Sequence, residues 1–221
     1  HIAQPENSHS KVMYQSQFAS HEKTHAVHAA AIVELNNGDM MSFWYGGSRE
    51  GAKDVQIWNA TYQPETQTWS EEKPLISRFD TEKSIQRYIK KLGNPVVTKD
   101  ASGKIWLFYV SVSIGGWSTS QLNVTTSIDD GQTWSAPSRL ITSPFLNLSH
   151  LVKNSPVLLA DGSIGLPVYF ELAGKFSEWL HITQDQKVQQ KSRISNFRYA
   201  IQPSVVPVSS QQAVVFMRNS S

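Results

Sequence analysis

Cysteine is absent from the 221-residue sequence, which excludes disulfides, thiolate nucleophiles and cysteine-based metal centres. A cysteine-free chain is compatible with either redox compartment. A strong excess of one charge is also missing: the formal net charge is +2, and no long run of Lys or Arg occurs. Neither nucleic acid nor an anionic membrane surface is therefore expected as a partner. No apolar run is long enough to span a bilayer. The first residues are polar rather than a signal sequence, although a processed export signal would leave no trace. Helical periodicity is scarce too. Only Asp80 to Lys91, with Ile85, Tyr88 and Ile89 on one face, reads as a short helix in a loop insertion.

What is present points one way. Ten prolines, twelve glycines and seven tryptophans, spread among short apolar runs, are the composition of an all-β protein long enough to bury a sizeable core. The runs also repeat. Ala29–Leu35, the turn Asn36-Asn37-Gly38-Asp39 and Met40–Tyr45 read as a hairpin. The arrangement returns as Asn94–Val97, the turn at Asp100–Gly103 and Ile105–Val110. It returns again as Ser155–Leu159, Asp161-Gly162 and Ile164–Tyr169, and a last time as Gln202–Val206 with Ala213–Met217. Gly38 and Gly103 lie 65 positions apart, as do Trp69 and Trp134, so two landmarks keep one period. Such a repeat predicts similar β units placed side by side.

One stretch is more specific. Ser127, Asp129, Gly131, Thr133 and Trp134 spell S-x-D-x-G-x-T-W between apolar segments. The Asp accepts bonds from turn amides, Gly tolerates positive φ, and the Trp requires an apolar cover. Taken alone this is a structural turn. The pattern resembles the Asp-box of the sialidase-like (bacterial neuraminidase repeat) β-propellers, where it marks the outer hairpin of a blade. Tyr62 to Trp69 holds the same slot in the first repeat, with Pro64 and Thr66 replacing Asp and Gly; Thr183-Gln184-Asp185 is a more degraded third copy. The resemblance implies a six-bladed propeller of which this chain supplies about three and a half blades, with the remaining blades on another fragment or chain. Residues 1–20 would be a tail with a ring-closing strand from Val12 to Ala19, and residues 21–221 the partial propeller. An extracellular or periplasmic setting goes with that family.

In a propeller the starts of the innermost strands look into an axial pocket, which singles out His28, Asn94, Asn154 and Gln202. An X-Pro entry into a strand is the alternative explanation of Asn94-Pro95, Ser155-Pro156 and Gln202-Pro203. The charged loop Gly46–Trp58 resembles the segment that supplies the sialidase acid/base, making Asp54 or Glu50 the candidate carboxyl; a solvated ion-paired loop is the alternative. Gly165–Glu171 resembles the L-x-x-P-x-Y strand, adding Tyr169 to the site and Glu171 as a second carboxyl. Arg218 falls where one substrate-clamping arginine belongs, and Arg49 is a second cation suited to a sugar carboxylate. His25-Ala26-Val27-His28-Ala29 stands where the first triad arginine would be. Gln202 replaces a glutamate, and the nucleophilic tyrosine would lie beyond Ser221. These departures fit a divergent branch with H-A, G-x-R-E-G, D-V-x-I-W, N-P, K-N-S-P and Q-P signatures.

The resemblance implies an exo-glycosidase acting on a terminal acidic sugar of a glycan. A polysaccharide lyase using His28 and a tyrosine, and a non-catalytic glycan-binding propeller, are the alternatives on the same scaffold. No cofactor is expected. His21, His25 and His28 sit at a loop-to-strand junction without supporting ligands, so no metal is expected either.

Overall fold

The computed structural model describes residues 14–145 and 147–221. The all-β expectation holds: the described residues form antiparallel sheets in chain order. The first contains β1 (Ala26–Glu34), β2 (Met40–Gly47), β3 (Gln56–Gln63), β4 (Thr68–Trp69) and β5 (Lys73–Ile76). The second contains β6 (Lys91–Lys99), β7 (Ile105–Val112), β8 (Gln121–Ser127) and β9 (Ser138–Arg139). The third has β10 (His150–Leu151), β11 (Val157–Leu158), β12 (Ile164–Phe170), β13 (Phe176–Ile182) and β14 (Val188–Arg193). The fourth is the hairpin β15 (Ala200–Pro207) and β16 (Ala213–Asn219). Each of the four sequence repeats supplies the inner hairpin of one sheet.

The helix α1 (Arg78–Ile85) begins two residues earlier than its periodicity suggests and stops sooner. Ser77 caps it: its hydroxyl accepts from the Asp80 amide while the Asp80 carboxylate accepts from the Ser77 amide. The ring-closing strand is not seen in residues 14–19, which pair with no strand and leave Tyr14 and Phe18 exposed. Val12 lies outside the described residues.

Strand alternation explains how the sheets stack. On β7 every residue is buried, because its two faces enter different cores. Ile105, Leu107 and Tyr109 point to the first sheet, where Val33, Met41, Phe43 and Ile57 meet them. Trp106, Phe108 and Val110 point to the third, against Leu166, Val168 and Leu180. A period of two with both faces covered gives the continuous apolar run seen in the sequence. On β16 the pattern reverses: Val214 and Phe216 are exposed, since no further layer covers them.

Outer hairpins lock each sheet to the one before. In the Asp-box, Asp129 accepts from the Thr133 amide at 2.9 Å and from the Ser127 hydroxyl at 2.8 Å. The next residue, Asp130, reaches across to Asn36 in the β1–β2 turn, accepting from its amide at 2.9 Å and its side chain at 2.8 Å. Trp134 packs edge-on to Phe43 at 5.7 Å. The degraded box of the third sheet does the same job. Thr183 bonds Asp185 as Ser127 bonds Asp129, and Gln184 donates to Asp100 in the β6–β7 turn at 3.2 Å and to the Gly162 carbonyl at 2.6 Å.

Gly165 on β12 shows how closely neighbouring strands approach. A methyl group there would sit 1.8 Å from the Trp179 ring. Gly165→Ala is expected to cost about 1–3 kcal/mol through overpacking, read as a lower thermal midpoint with unchanged β content.

Candidate functional site

Three of the four inner strands carry the same irregularity. The β1–β2 register shifts between His28 and Ala31, β6–β7 between Gly93 and Val96, and β15–β16 between Ile201 and Ser204. At each shift a non-glycine residue has positive φ: Ala29 at 55°, Asn94 at 28° and Gln202 at 54°. In the third sheet the inner strand instead breaks, between Leu151 and Val157. Bulges bend a strand and re-aim its side chains, and left-handed backbone at a non-glycine residue persists only where its surroundings enforce it.

These irregularities meet at one place. A cavity of about 190 Å³ is lined by residues of all four sheets, including His28, Glu50, Asn94, Tyr169, Glu171 and Gln202. The three left-handed residues Ala29, Asn94 and Gln202 are all on its wall. Register shows what stands opposite each irregularity. Tyr45 faces His28 across β1–β2, Tyr169 faces Leu151 across β10–β12, and Arg218 faces Ile201 across β15–β16. The position opposite each irregularity is thus Tyr, Tyr or Arg, with Val110 in the second sheet.

Inside the cavity, the Tyr45 hydroxyl donates to Glu50 at 3.2 Å and the Tyr45 ring stacks on His28 at 5.6 Å. His28 Nε2 is 3.9 Å from the second Glu50 oxygen. Burial and the Glu50 charge together push the Tyr45 hydroxyl well above its ordinary value. Tyr169 is pushed up to about 12, chiefly by burial; its hydrogen bond to Gln202 and the nearby charge of Arg218 work against that, and Glu171 with it. Both phenols are therefore protonated donors at neutral pH. Lys153 brings a cation to the wall. Lys91 lies over Trp117, another lining residue, at 4.1 Å. Its affinity for a proton is lowered by burial and by Lys90, and partly restored by Glu50.

Not every candidate named from the sequence reaches this wall. The Asp54 carboxylate accepts from the Ser48 amide at 3.1 Å and the Ser48 hydroxyl at 3.0 Å. It pins the charged loop, and Glu50 is the member of that loop which lines the cavity. Arg49 is exposed beside it and is not a lining residue. Asn154 is a stitch: its amide donates to the carbonyls of Gln202 at 2.9 Å and Pro203 at 3.0 Å. Asn94 does both, lining the cavity while donating to the Val152 carbonyl at 2.9 Å. Arg218 is exposed, is not a lining residue, and is near enough for its charge to act on Tyr169.

Sequence reasoning missed Tyr45, Trp117 and Lys153. Tyr45 was findable, because it holds in the first hairpin the register that Tyr169 holds in the third. Lys153 opens the K-N-S-P signature. Trp117 sits in a short turn with no repeat counterpart. Among the described residues, no group of three or more His, Cys, Asp or Glu side chains is placed to hold a metal ion.

Residues 38–221 match the family model described as "BNR repeat-like domain". The chain belongs to that family. Its Asp-box and recurring hairpins are the features that define a sialidase-like BNR-repeat protein. No curated protein sequence matches the chain. Among solved structures it is similar to the Hadza microbial sialidase Hz136, with 18% identity and a TM-score of 0.71, covering 89% of this chain and 43% of that one. It is also similar to a leech intramolecular trans-sialidase complexed with 2,7-anhydro-Neu5Ac (12% identity, TM-score 0.73, 95% and 50% covered). A third is the K499G mutant of the NanB sialidase from Streptococcus pneumoniae (12%, 0.69, 93% and 50%). At these identities the likeness is one of fold. The BNR-repeat chain spans about half the length of these structures.

Proposed function

We propose that the chain supplies about three and a half blades of a six-bladed propeller and that its central cavity is the sugar site of an exo-acting glycosidase for a terminal acidic sugar. The observation that carries this reading is the convergence of two carboxyl side chains, Glu50 and Glu171, with His28, Lys153 and hydroxyl and amide groups on one small cavity. Glu50 acts as acid/base, held in place by the hydrogen bond it accepts from the Tyr45 hydroxyl. Glu171 is the second carboxyl. Lys153 and Arg218 take the sugar carboxylate, while His28, Asn94, Tyr169 and Gln202 orient hydroxyl groups. Asn154 positions Gln202, and Asp54 positions the loop that carries Glu50. Arg49 joins the grip only if that loop closes over the ligand. The next blade, from another fragment or chain, packs against the β16 face where Val214 and Phe216 are exposed.

Paired aryl glycosides that differ only in a carboxylate test this reading in the full-length protein. The acidic member is turned over and the neutral one is not. Arg218→Ala raises KM for the acidic member about 10–100-fold, the loss of one charge-assisted contact, with a smaller change in kcat. Equal turnover of both glycosides, or an unchanged KM in the variant, contradicts it. A lyase reading is favoured by one contact, the His28–Tyr45 stack beside a cationic Lys153: an imidazole base, a phenol acid and a cation to neutralise the carboxylate. An unsaturated, ultraviolet-absorbing product from the acidic substrate would identify it.

A further inference from the structure

A second polar hollow is joined to the central cavity by one short turn of the chain. It encloses about 360 Å³ and is lined by Arg87, Gln121, Arg139, Ile141 and Ser143 among others. Trp117 lines the central cavity and Gln121, four residues on, lines this one. The short turn Trp117–Thr119 therefore links the wall of one to the wall of the other. Arg87 enters from the segment leading into β6, and Arg139 from β9 at the outer edge of the second sheet.

Arg139 is partly buried and Arg87 exposed at the mouth of the hollow; a partly buried guanidinium should seek a carboxylate, because an unpaired charge there is costly. Neither has one. Every ion pair among the described residues is made by Lys or His, none by Arg. Arg139 makes only a long contact, donating to the neutral Oε1 of buried Gln121 at 3.4 Å. The acidic residue nearest in sequence to Arg87 on α1, Glu82, is occupied by the Ile89 amide at 3.0 Å. Burial, and then the like charge of Arg87, both weaken the hold of Arg139 on its proton. Both effects would be offset by an anion between the two side chains. The half-exposed Ile141 adds an apolar wall, suited to the C–H face of a sugar ring.

We infer that the Arg87–Arg139 hollow is a subsite for a second anionic group, a carboxylate or sulfate ester, carried by a sugar unit further along the glycan whose terminal residue occupies the central cavity. Guanidinium suits either group, since both offer two oxygens to its parallel N–H donors. The inference rests on the glycan reading above and narrows it: the preferred substrate is acidic at more than one unit.

The test follows the Arg Nε resonances of the 15N-labelled full-length protein with four probes. These are an oligosaccharide acidic at its terminal and at a remote unit, its analogue with the remote carboxyl methyl-esterified, its analogue with a remote sulfate, and sodium sulfate. The di-acidic probe is expected to shift Arg87 and Arg139, and to bind about 10–100-fold more tightly than the ester. The ester leaves both resonances in place. The sulfated analogue tells whether carboxylate or sulfate is preferred. Arg139→Gln abolishes the difference between di-acid and ester, and Arg139→Lys restores part of it. Equal affinity for di-acid and ester, or no shift of Arg87 and Arg139 with any probe, overturns the subsite. A response to sodium sulfate alone assigns a simple anion site and equally overturns it. Failure of the central-cavity reading shows elsewhere, as the absence of ligand-dependent shifts at His28 and Lys153.

Discussion

The Glu50→Gln variant is expected to lose about 10²–10⁴-fold in turnover of an acidic glycoside, the range for removing a positioned acid/base group, while KM changes little. The amide keeps the size of the side chain and can still accept from Tyr45, so the cavity wall persists and only proton transfer is lost. Asp54→Asn is the control. Its carboxylate bonds Ser48 and does not line the cavity, so its effect should be far smaller and should come through loop order. Steady-state kinetics of the two variants side by side decide between them. Wild-type turnover in Glu50→Gln, or an equal loss in Asp54→Asn, would remove Glu50 from its assigned role.

The second large effect concerns stability. Asp100 closes the β6–β7 turn and accepts from the Ser102 amide and hydroxyl at 2.9 and 2.6 Å, the Lys104 amide at 3.1 Å, and Gln184 at 3.2 Å. It also accepts from the indole N–H of Trp106 at 2.9 Å, a ring fully buried in the core between the second and third sheets. Asp100→Ala leaves that N–H without a partner and severs the tie to the third sheet. The cost is on the order of 3 kcal/mol, which for a chain of this size lowers the thermal midpoint by roughly 5–12 °C. Trp106 fluorescence during melting reports it.

Acid sensitivity follows from the same turns. Burial opposes ionisation of Asp100, yet the bonds from Ser102, Trp106 and Gln184 outweigh it and hold the carboxyl below its usual range. Asp129 is held at about 2, chiefly by Thr133 and then Ser127. Both folded values lie below the ordinary carboxylate value of about 3.9. Their contribution is therefore complete above about pH 4 and is lost as pH falls towards 2. Asp129→Asn should lower stability at neutral pH and flatten that acid limb; an acid limb as steep as the wild type's would contradict the assignment.

Much of the architecture was legible because it rests on local chemistry. Turn residues and two-residue alternation place the eight strands of the four inner hairpins, and the Asp-box spells its own hydrogen bonds. The third box was harder to read. Thr183 and Asp185 keep the side-chain bond, but the interlock to the second sheet is made by Gln184, for which no spacing rule exists. The site was legible only in part, for a geometric reason. Residues look into the cavity because bulges re-aim them, and a bulge at Ala29-Ala30 has no spelling as plain as Asn94-Pro95 or Gln202-Pro203. Tyr45 sits in an ordinary apolar strand, and only its shared register with Tyr169 marks it. Glu50 and Asp54 sit four positions apart in one polar loop, and nothing in their order says which turns inward. The segment from Val12 to Ala19 alternates well enough for a strand, but alternation cannot name a partner, and residues 14–19 pair with no strand among the described residues.

Everything functional depends on the bulged strand starts gathering around one sugar. The catalytically silenced Glu50→Gln protein, crystallised full length with an acidic monosaccharide, tests that most directly. The ring should lie in the 190 Å³ cavity against His28, Asn94, Tyr169, Glu171 and Gln202, with its carboxylate towards Lys153 and Arg218. A sugar bound elsewhere, or a cavity that stays empty at saturating ligand, would contradict the account.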